Sequence, residues 1–123
     1  MDKKRILIVE DERDLVEILT FRLQSAGYDV IAAYDGQEGL DRARTEKPSL
    51  IILDLMLPKI DGYKVCGMLK FDARFKKIPI ILFTARAQEA DKKMGMEVGA
   101  DAYITKPFEP TALLANIKEL LKE

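Results

Sequence analysis

Short apolar runs alternate along this chain with longer segments in which apolar residues recur every three or four positions. Isoleucine, leucine and valine dominate the runs, a composition typical of strands buried on both faces of a parallel sheet. Five strands are predicted, at residues 5–9, 29–33, 50–53, 79–83 and 103–105. The fourth opens on a proline, which is tolerated at the first position of a strand.

The segments between the runs have the period of amphipathic helices. The first stripe ends at Gly27, a typical helix stop. The two clearest stripes are Leu15, Ile18, Leu19, Leu23 and Ala26 in the first helix and Leu113, Leu114, Ile117, Leu120 and Leu121 in the last. Helices are also predicted at residues 37–46, 63–70 and 87–98, of which the third contains Gly95 and has only a thin stripe.

Five strands alternating with five helices predict an α/β fold, a doubly wound (βα)5 arrangement with a five-stranded parallel sheet and helices on both faces. A length of 123 residues fits one domain, residues 1–123. In open sheets of this kind, ligands bind at the carboxyl ends of the strands. We therefore expect any functional site at that edge.

Polar residues follow four of the predicted strands. Glu10 and Asp11 follow the first strand, Asp54 the third, Thr84 the fourth and Lys106 the fifth. Taken singly, an acidic residue in such a place is usually a helix cap or a loop residue. A threonine at a strand end is usually structural, and a lone lysine before a proline usually faces solvent. Because all of these residues are expected at the same edge of the sheet, we interpret them as one site and not as unrelated loop residues.

The predicted cluster has the chemistry of a divalent cation site. Three neighbouring carboxylates repel one another unless a cation compensates. Oxygen ligands without histidine favour Mg²⁺ or Mn²⁺ over zinc. A hydroxyl from Thr84 and an ammonium from Lys106 could then contact a phosphoryl group, since phosphoryl transfer requires positioning and charge neutralisation. The set suffices to move a phosphoryl group onto a carboxylate.

Composition excludes several other classes of function. The 20 basic and 21 acidic residues are interspersed and give a net charge of −1, so no basic patch predicts direct nucleic-acid binding. No apolar segment reaches the roughly 20 residues that a membrane span needs, and the N-terminus lacks a signal-peptide core. Cys66 stands alone among apolar residues, which predicts a packed, reduced thiol and a cytoplasmic location.

At these residues the chain resembles the receiver domain of bacterial response regulators, most closely the PhoB/OmpR type. The matching segments are Val-Glu-Asp-Glu at residues 9–12, Leu-Asp-Leu-Met-Leu-Pro at 53–58 with Asp-Gly at 61–62, Thr-Ala-Arg at 84–86, Gly-Ala-Asp-Ala-Tyr at 99–103 and Lys-Pro-Phe at 106–108. They span essentially the whole chain in order. The resemblance implies the flavodoxin-like strand order 2-1-3-4-5.

The resemblance also implies the identity of the phosphoacceptor and of the metal ligands. Asp54 would take a phosphoryl group from a phosphohistidine on a sensor histidine kinase or a phosphotransfer protein. Mg²⁺ would be held by Asp11, Asp54 and the backbone carbonyl of Met56, with Glu10 reaching it through water. A receiver is a phosphoacceptor that assists its own phosphorylation and dephosphorylation, and we do not expect a separate enzymatic activity.

Further roles implied by the resemblance concern the switch. Thr84 and Lys106 would contact the phosphoryl oxygens, and Tyr103 would be the side chain that rotates with Thr84. The Lys106–Pro107 bond is expected to be cis. The face formed by the fourth helix, fifth strand and fifth helix would change on phosphorylation, and the predicted helix at residues 87–98 would move most.

Departures from the family pattern bear on assembly. Charged pairs on that face hold the active dimer of PhoB/OmpR-type receivers. Lys92, Asp101 and Lys118 fit the pattern, whereas Ala102, Ala112 and Asn116 replace charged members. We therefore expect a monomer or weak homodimer and a stand-alone receiver with an unknown output protein. The alternative is the isolated receiver of a larger regulator, for example one that binds DNA.

Three other classes of protein are less consistent with the sequence. A haloacid-dehalogenase-type phosphatase generally needs a second aspartate two residues after the first, where this chain has Met56. A flavodoxin-like FMN carrier would need a phosphate-binding first loop, and the acidic residues 10–12 would repel that phosphate. An interaction module that works without phosphorylation would have no need of the complete acidic site.

Overall fold

The computed structural model describes residues 3–86 and 88–123. Within those residues, five strands alternate with five helices. The elements are β1 (Arg5–Val9), α1 (Arg13–Ser25), β2 (Asp29–Ala33), α2 (Gly36–Glu46), β3 (Leu50–Leu53), α3 (Gly62–Lys70), β4 (Ile80–Thr84), α4 (Glu89–Glu97), β5 (Ala102–Thr105) and α5 (Pro110–Leu121). Each lies at the position that the hydrophobic pattern predicts. The longest described helix, α1, has 13 residues, and no described helix has the length and hydropathy of a membrane span.

The strands form one parallel sheet in the order β2-β1-β3-β4-β5, which confirms the predicted fold class. The last residue of β1, Val9, is in register with Ala33 of β2 and Leu53 of β3. The carboxyl ends of β1 and β3 are therefore adjacent, where the strand order reverses. This is the position at which open α/β sheets bind ligands.

Two apolar layers enclose the sheet because successive side chains of a strand point to opposite faces. Leu7 and Val9 pack on one face with α2, α3 and the end of α4, and Ile6 and Ile8 pack on the other with α1 and α5. All four side chains are buried, as expected for central parallel strands.

The structure differs slightly from the predicted boundaries. Strand β4 begins at Ile80 and not at Pro79, whose carbonyl accepts a hydrogen bond from the Ile51 amide at 2.9 Å. Thr84 is the last residue of β4 and does not follow it. The predicted fourth helix began at Ala87, which lies outside the described residues; α4 itself covers Glu89–Glu97.

Helix α4 packs closely on the sheet because Gly95 has no side chain. A Cβ atom there would lie 2.9 Å from Leu82 Cδ1 and 3.0 Å from Tyr103 Cδ2. Within α4, whose residues are all described, Gly95 is the one buried residue. The thin apolar stripe therefore reflects a helix that approaches the sheet through a glycine and has little apolar contact of its own.

Cys66 is buried in α3, as predicted, and its thiol contacts the Val98 carbonyl at 3.7 Å. Burial raises the pKa of Cys66 from 9.0 to about 12. The native state therefore favours the neutral thiol, and its stability relative to the unfolded state falls as the pH rises from about 9 to about 12.

We expect thiol reagents at pH 8 to modify native Cys66 at least ~10²-fold more slowly than the urea-unfolded chain, because the folded thiol carries far less thiolate. The rate of modification in a native sample, measured beside an unfolded sample, checks this. Equal rates in the two samples would show that Cys66 is accessible and ionisable in the fold.

Candidate functional site

Two buried carboxylates stand at the carboxyl edge of the sheet. Glu10 follows β1 and Asp54 follows β3, and the two residues are only 3% and 4% exposed. Sheet hydrogen bonds continue into both residues: the Glu10 amide donates to the Ala33 carbonyl and the Asp54 amide donates to the Val9 carbonyl, each at 3.0 Å. The backbone of the sheet therefore fixes the position of both charges.

A third carboxylate, Asp11, completes an acidic cluster. One ligand oxygen from each of Glu10, Asp11 and Asp54 lies within 4.8 Å of the other two. Asp11 is exposed, so the cluster is open to solvent on one side. Carboxylate oxygens are the ligands that Mg²⁺ and Mn²⁺ prefer, and this cluster could hold such an ion.

Lys106 reaches the cluster from the end of β5. Its Nζ lies 2.6 Å from Glu10 Oε1, 3.3 Å from Asp54 Oδ2 and 3.8 Å from Glu12 Oε1. The Lys106 amide donates to the Thr84 carbonyl at 2.8 Å, and this bond fixes the backbone from which the Lys106 side chain extends. The Lys106–Pro107 bond is cis, as the family resemblance implies.

The negative charge of the cluster is only partly balanced by Lys106. Burial raises the pKa of Glu10 to about 6 and the Asp54 charge adds to this, although the hydrogen bonds from Lys106 and the Glu12 amide oppose it. Burial alone would lower the pKa of Lys106, but Glu10 and Asp54 raise it above its ordinary value. With all groups ionised, three carboxylates and one ammonium leave an excess of two negative charges. A divalent cation would balance that excess.

Backbone amides orient the two buried carboxylates. The Met56 amide donates to Asp54 Oδ1 at 3.2 Å, and the Glu12 amide donates to Glu10 Oε2 at 3.0 Å. The Met56 side chain is exposed in the loop after β3. The two carboxylates thus have fixed orientations, each with one oxygen directed to Lys106.

The two predicted switch residues meet at one residue that sequence reasoning did not single out for this role, Arg86. The Arg86 amide donates to Thr84 Oγ1 at 3.3 Å, and the Tyr103 hydroxyl donates to the Arg86 carbonyl at 2.9 Å. Thr84 is fully buried and Tyr103 is half-buried. Both side chains therefore hold the connection between β4 and α4.

Two features of α3 also belong to the site and were missed in the sequence. A Cβ atom on Gly62 would lie 2.2 Å from the Asp54 carbonyl oxygen and 2.7 Å from Leu55 Cα, so α3 begins in close contact with the loop that carries Asp54. Tyr63 lines an open cavity of about 530 Å³ beside the cluster, together with Asp11, Met56, Asp61 and Arg86. The Asp-Gly pair predicted a turn and gave no sign of this contact.

The fold and site together define a class: a flavodoxin-like α/β domain with an acidic cluster and a lysine at the carboxyl edge of its sheet. Signalling receivers have this combination. The family model of the response regulator receiver domain matches residues 6–118, and the chain belongs to that family. It is thus a response regulator receiver of a two-component system, and the haloacid-dehalogenase and flavodoxin alternatives are set aside.

Similar proteins agree with this assignment. The chain is 49% identical over 119 residues to the alkaline phosphatase synthesis transcriptional regulatory protein PhoP of Bacillus subtilis, covering 97% of this chain and 49% of PhoP. This relative supports the PhoB/OmpR-type resemblance. The chain spans about half the length of the curated relatives it matches.

Solved structures share the fold over their whole length. A putative response regulator from Chloroflexus aurantiacus superposes with a TM-score of 0.93 and 36% identity, covering 99% of this chain and 100% of that one. The BeF3-activated DrrB receiver domain superposes with a TM-score of 0.89 and 32% identity, covering 99% and 100% of the two chains.

Proposed function

We propose that this receiver accepts a phosphoryl group on Asp54 from the phosphohistidine of a sensor histidine kinase or phosphotransfer protein. One observation carries the proposal: the buried Asp54 carboxylate lies 3.3 Å from the Lys106 ammonium and belongs to the acidic cluster with Glu10 and Asp11. A buried nucleophile beside a cation and within a potential metal site is suited to a group that carries several negative charges.

The proposed metal is Mg²⁺, with Mn²⁺ as a substitute. Asp11, Asp54 and the Met56 carbonyl would bind it directly, and Glu10 would bind it through water. The donor set of the cluster fits, since it offers oxygen ligands and an excess of negative charge. When bound, the ion would supply positive charge that neutralises the phosphoryl oxygens.

Each side chain of the site has a defined task in the proposed transfer. An Asp54 oxygen attacks the phosphorus, and the new oxygen–phosphorus bond forms as the phosphorus–nitrogen bond to the donor histidine breaks. Lys106 transfers its contact from the Asp54 oxygen to a phosphoryl oxygen. Thr84, the last residue of the neighbouring strand β4, donates a hydrogen bond from its hydroxyl to another phosphoryl oxygen. The Met56 amide keeps Asp54 oriented through Oδ1.

The switch follows from the contacts at Arg86. A phosphoryl group brings about −1.5 to −2 charge and three acceptor oxygens. Thr84 turns towards it and gives up the Arg86 amide, and Tyr103 leaves the Arg86 carbonyl and turns inward. Reversing a 1:99 equilibrium needs about 5.5 kcal/mol. Two or three charge-assisted hydrogen bonds of about 1.5–3 kcal/mol each would supply it.

A monomer or weak homodimer remains our proposal for its assembly. Asp101, one of the charged residues on the family's dimer face, is engaged within its own chain: its carboxylate accepts from Lys70 Nζ at 2.6 Å and from the Ile80 amide at 2.8 Å. The side chain of Lys70 is only 10% exposed. The Asp101 side chain is 33% exposed, so an ion pair to a partner through Asp101 would have to compete with this partly buried one.

The output and location are also proposals. We expect a cytoplasmic protein that binds no nucleic acid through this domain and acts through a partner yet to be identified. The relative PhoP is named a transcriptional regulator and is about twice as long as this chain, which supports the alternative that this receiver controls a DNA-binding segment. A stand-alone receiver remains the other prediction.

Incubation with acetyl phosphate tests the proposed function. We expect the intact mass to gain one phosphoryl group with Mg²⁺, and excess EDTA to reduce the rate at least ~10²-fold, because three carboxylates then repel the incoming phosphate without compensation. Restoring Mg²⁺ or Mn²⁺ after EDTA treatment is the control for irreversible damage. Equal labelling in EDTA and in Mg²⁺ would refute a metal-assisted transfer.

A further inference from the structure

A hydroxyl group from α3 ties that helix to α4. Tyr63 is the second residue of α3, and its hydroxyl donates to the Asp91 carbonyl in the first turn of α4 at 2.9 Å. The two residues are 28 positions apart in the chain, and Tyr63 is half-buried. This hydrogen bond therefore joins the first turns of two neighbouring helices.

The other end of Tyr63 is fixed to the loop that carries Asp54. The preceding Gly62 packs against the Asp54 carbonyl, and its amide donates to the Leu55 carbonyl at 3.0 Å. Both contacts of Gly62 are with backbone atoms, so the start of α3 can move little relative to this loop. Tyr63 thus links the proposed phosphoacceptor loop directly to α4, along a path that does not pass through Thr84 or Tyr103.

A second tyrosine anchors the segment before α4. The Tyr103 hydroxyl donates to the Arg86 carbonyl, and Arg86 Nη1 lies 3.7 Å from Asp91 Oδ1. Burial, followed by the neighbouring Tyr63 hydroxyl, raises the pKa of Tyr103 to about 12. The two tyrosines therefore bind the carbonyls of Arg86 and Asp91 from two different elements, β5 and α3.

Few other contacts fix α4. Gly95 is buried, whereas Met94 and Met96 on either side of it are 48% and 62% exposed. With so little apolar area buried, each hydrogen bond to the helix is a large share of what holds it. When Tyr103 leaves Arg86, the bond from Tyr63 to Asp91 still resists movement of the first turn.

We propose that Tyr63 is a positioning residue of the switch, whose hydroxyl holds α4 in the unphosphorylated arrangement and so opposes activation. The proposal rests on the proposed function of Asp54. Removal of the hydroxyl makes the rearranged state more populated. A phosphoryl analogue then binds more tightly, because its apparent affinity scales with the fraction of molecules already in the competent arrangement. A tyrosine that only stabilised the fold would not raise that affinity when it was altered.

The test uses Tyr63→Phe, which keeps the ring and removes the hydroxyl. Hydrogen exchange of the α4 amides, relative to those of β1 in the same molecule, reports the anchor without any phosphoryl chemistry. Binding of beryllofluoride with Mg²⁺ reports the switch. Tyr28→Phe is the matched control, because the Tyr28 hydroxyl donates to Glu123 Oε1 at 2.6 Å in a different part of the fold.

We expect Tyr63→Phe to speed α4 exchange about five-fold and to tighten beryllofluoride binding about five-fold, the effect of one hydrogen bond. Tyr28→Phe should change neither. Unchanged α4 exchange overturns the anchor, and faster exchange without tighter binding overturns its role in the switch. If the unaltered protein binds no beryllofluoride, the proposed function and the switch role both fail, while the exchange result still decides the anchor.

Discussion

Asp54→Asn is expected to lower phosphoryl incorporation from acetyl phosphate by about 10³-fold or more, because a carboxamide is not a nucleophile and removal of a nucleophile has effects of this size. Asparagine has nearly the same shape as aspartate, and its carbonyl oxygen can still accept the hydrogen bond that the Met56 amide gives to Asp54 Oδ1. The fold should therefore remain intact. The initial rate of mass gain with Mg²⁺ measures the effect.

A matched control separates the chemistry from the loss of a charge. Asp41→Asn makes the same substitution on the exposed surface of α2, where Asp41 accepts from the Gln37 side chain at 3.0 Å. It should label at the unaltered rate. If Asp54→Asn and Asp41→Asn labelled equally fast, another group would carry the phosphoryl group.

Gly62→Ala is expected to destabilise the protein by about 3 kcal/mol or more, since the added Cβ meets backbone atoms that cannot rotate away. It would lie 2.2 Å from the Asp54 carbonyl oxygen and 2.7 Å from Leu55 Cα. The phosphoacceptor loop must shift to admit it, so labelling of any folded fraction should also fall. The free energy of unfolding in urea measures the effect.

The same helix supplies a control for Gly62→Ala. In Gly67→Ala the nearest heavy atom to the new Cβ is Val98 Cβ at 4.0 Å, an ordinary contact. Alanine is the better helix former, so this variant should be more stable by up to about 1 kcal/mol. Equal stability of the Gly62→Ala and Gly67→Ala variants would mean that α3 does not rest on the Asp54 loop as described.

Much of the fold could be predicted because the buried strands of a parallel sheet are continuous apolar runs. Residues 5–9, 29–33 and 50–53 were predicted with the bounds that the structure has. The order of the strands in the sheet could not be predicted from the hydrophobic pattern, because periodicity does not determine which strands are neighbours. That order came from the family resemblance and is confirmed by the structure.

The cluster could be predicted for a geometric reason. Glu10, Asp11, Asp54 and Lys106 all follow strands, and the carboxyl ends of parallel strands meet at one edge. Their assembly therefore needed no knowledge of individual contacts. The functional roles of these residues remain predictions that the labelling and mapping experiments address.

The contacts of Gly62, Gly95 and Tyr63 could not be predicted. A glycine in a sequence predicts a turn or a helix stop equally well, and its role as a point of close approach depends on what lies opposite in three dimensions. The partner of Tyr63 is a carbonyl 28 residues away, and no side-chain pattern marks a carbonyl acceptor. The sequence placed Asp101 among the charges of the family's dimer face, and for the same reason gave no sign that Lys70 and the Ile80 amide engage its carboxylate.

Mapping the phosphoryl group to one carboxylate tests the central claim most directly, because Glu10, Asp11 and Asp54 are close enough to compete for it. Borohydride reduces an acyl phosphate of aspartate to homoserine, and peptide mass spectrometry then locates the altered residue. After incubation with acetyl phosphate and Mg²⁺, we predict reduction at Asp54 alone. Reduction at Glu10 or Asp11, or at no residue of the cluster, would contradict the assignment of Asp54 as the phosphoacceptor.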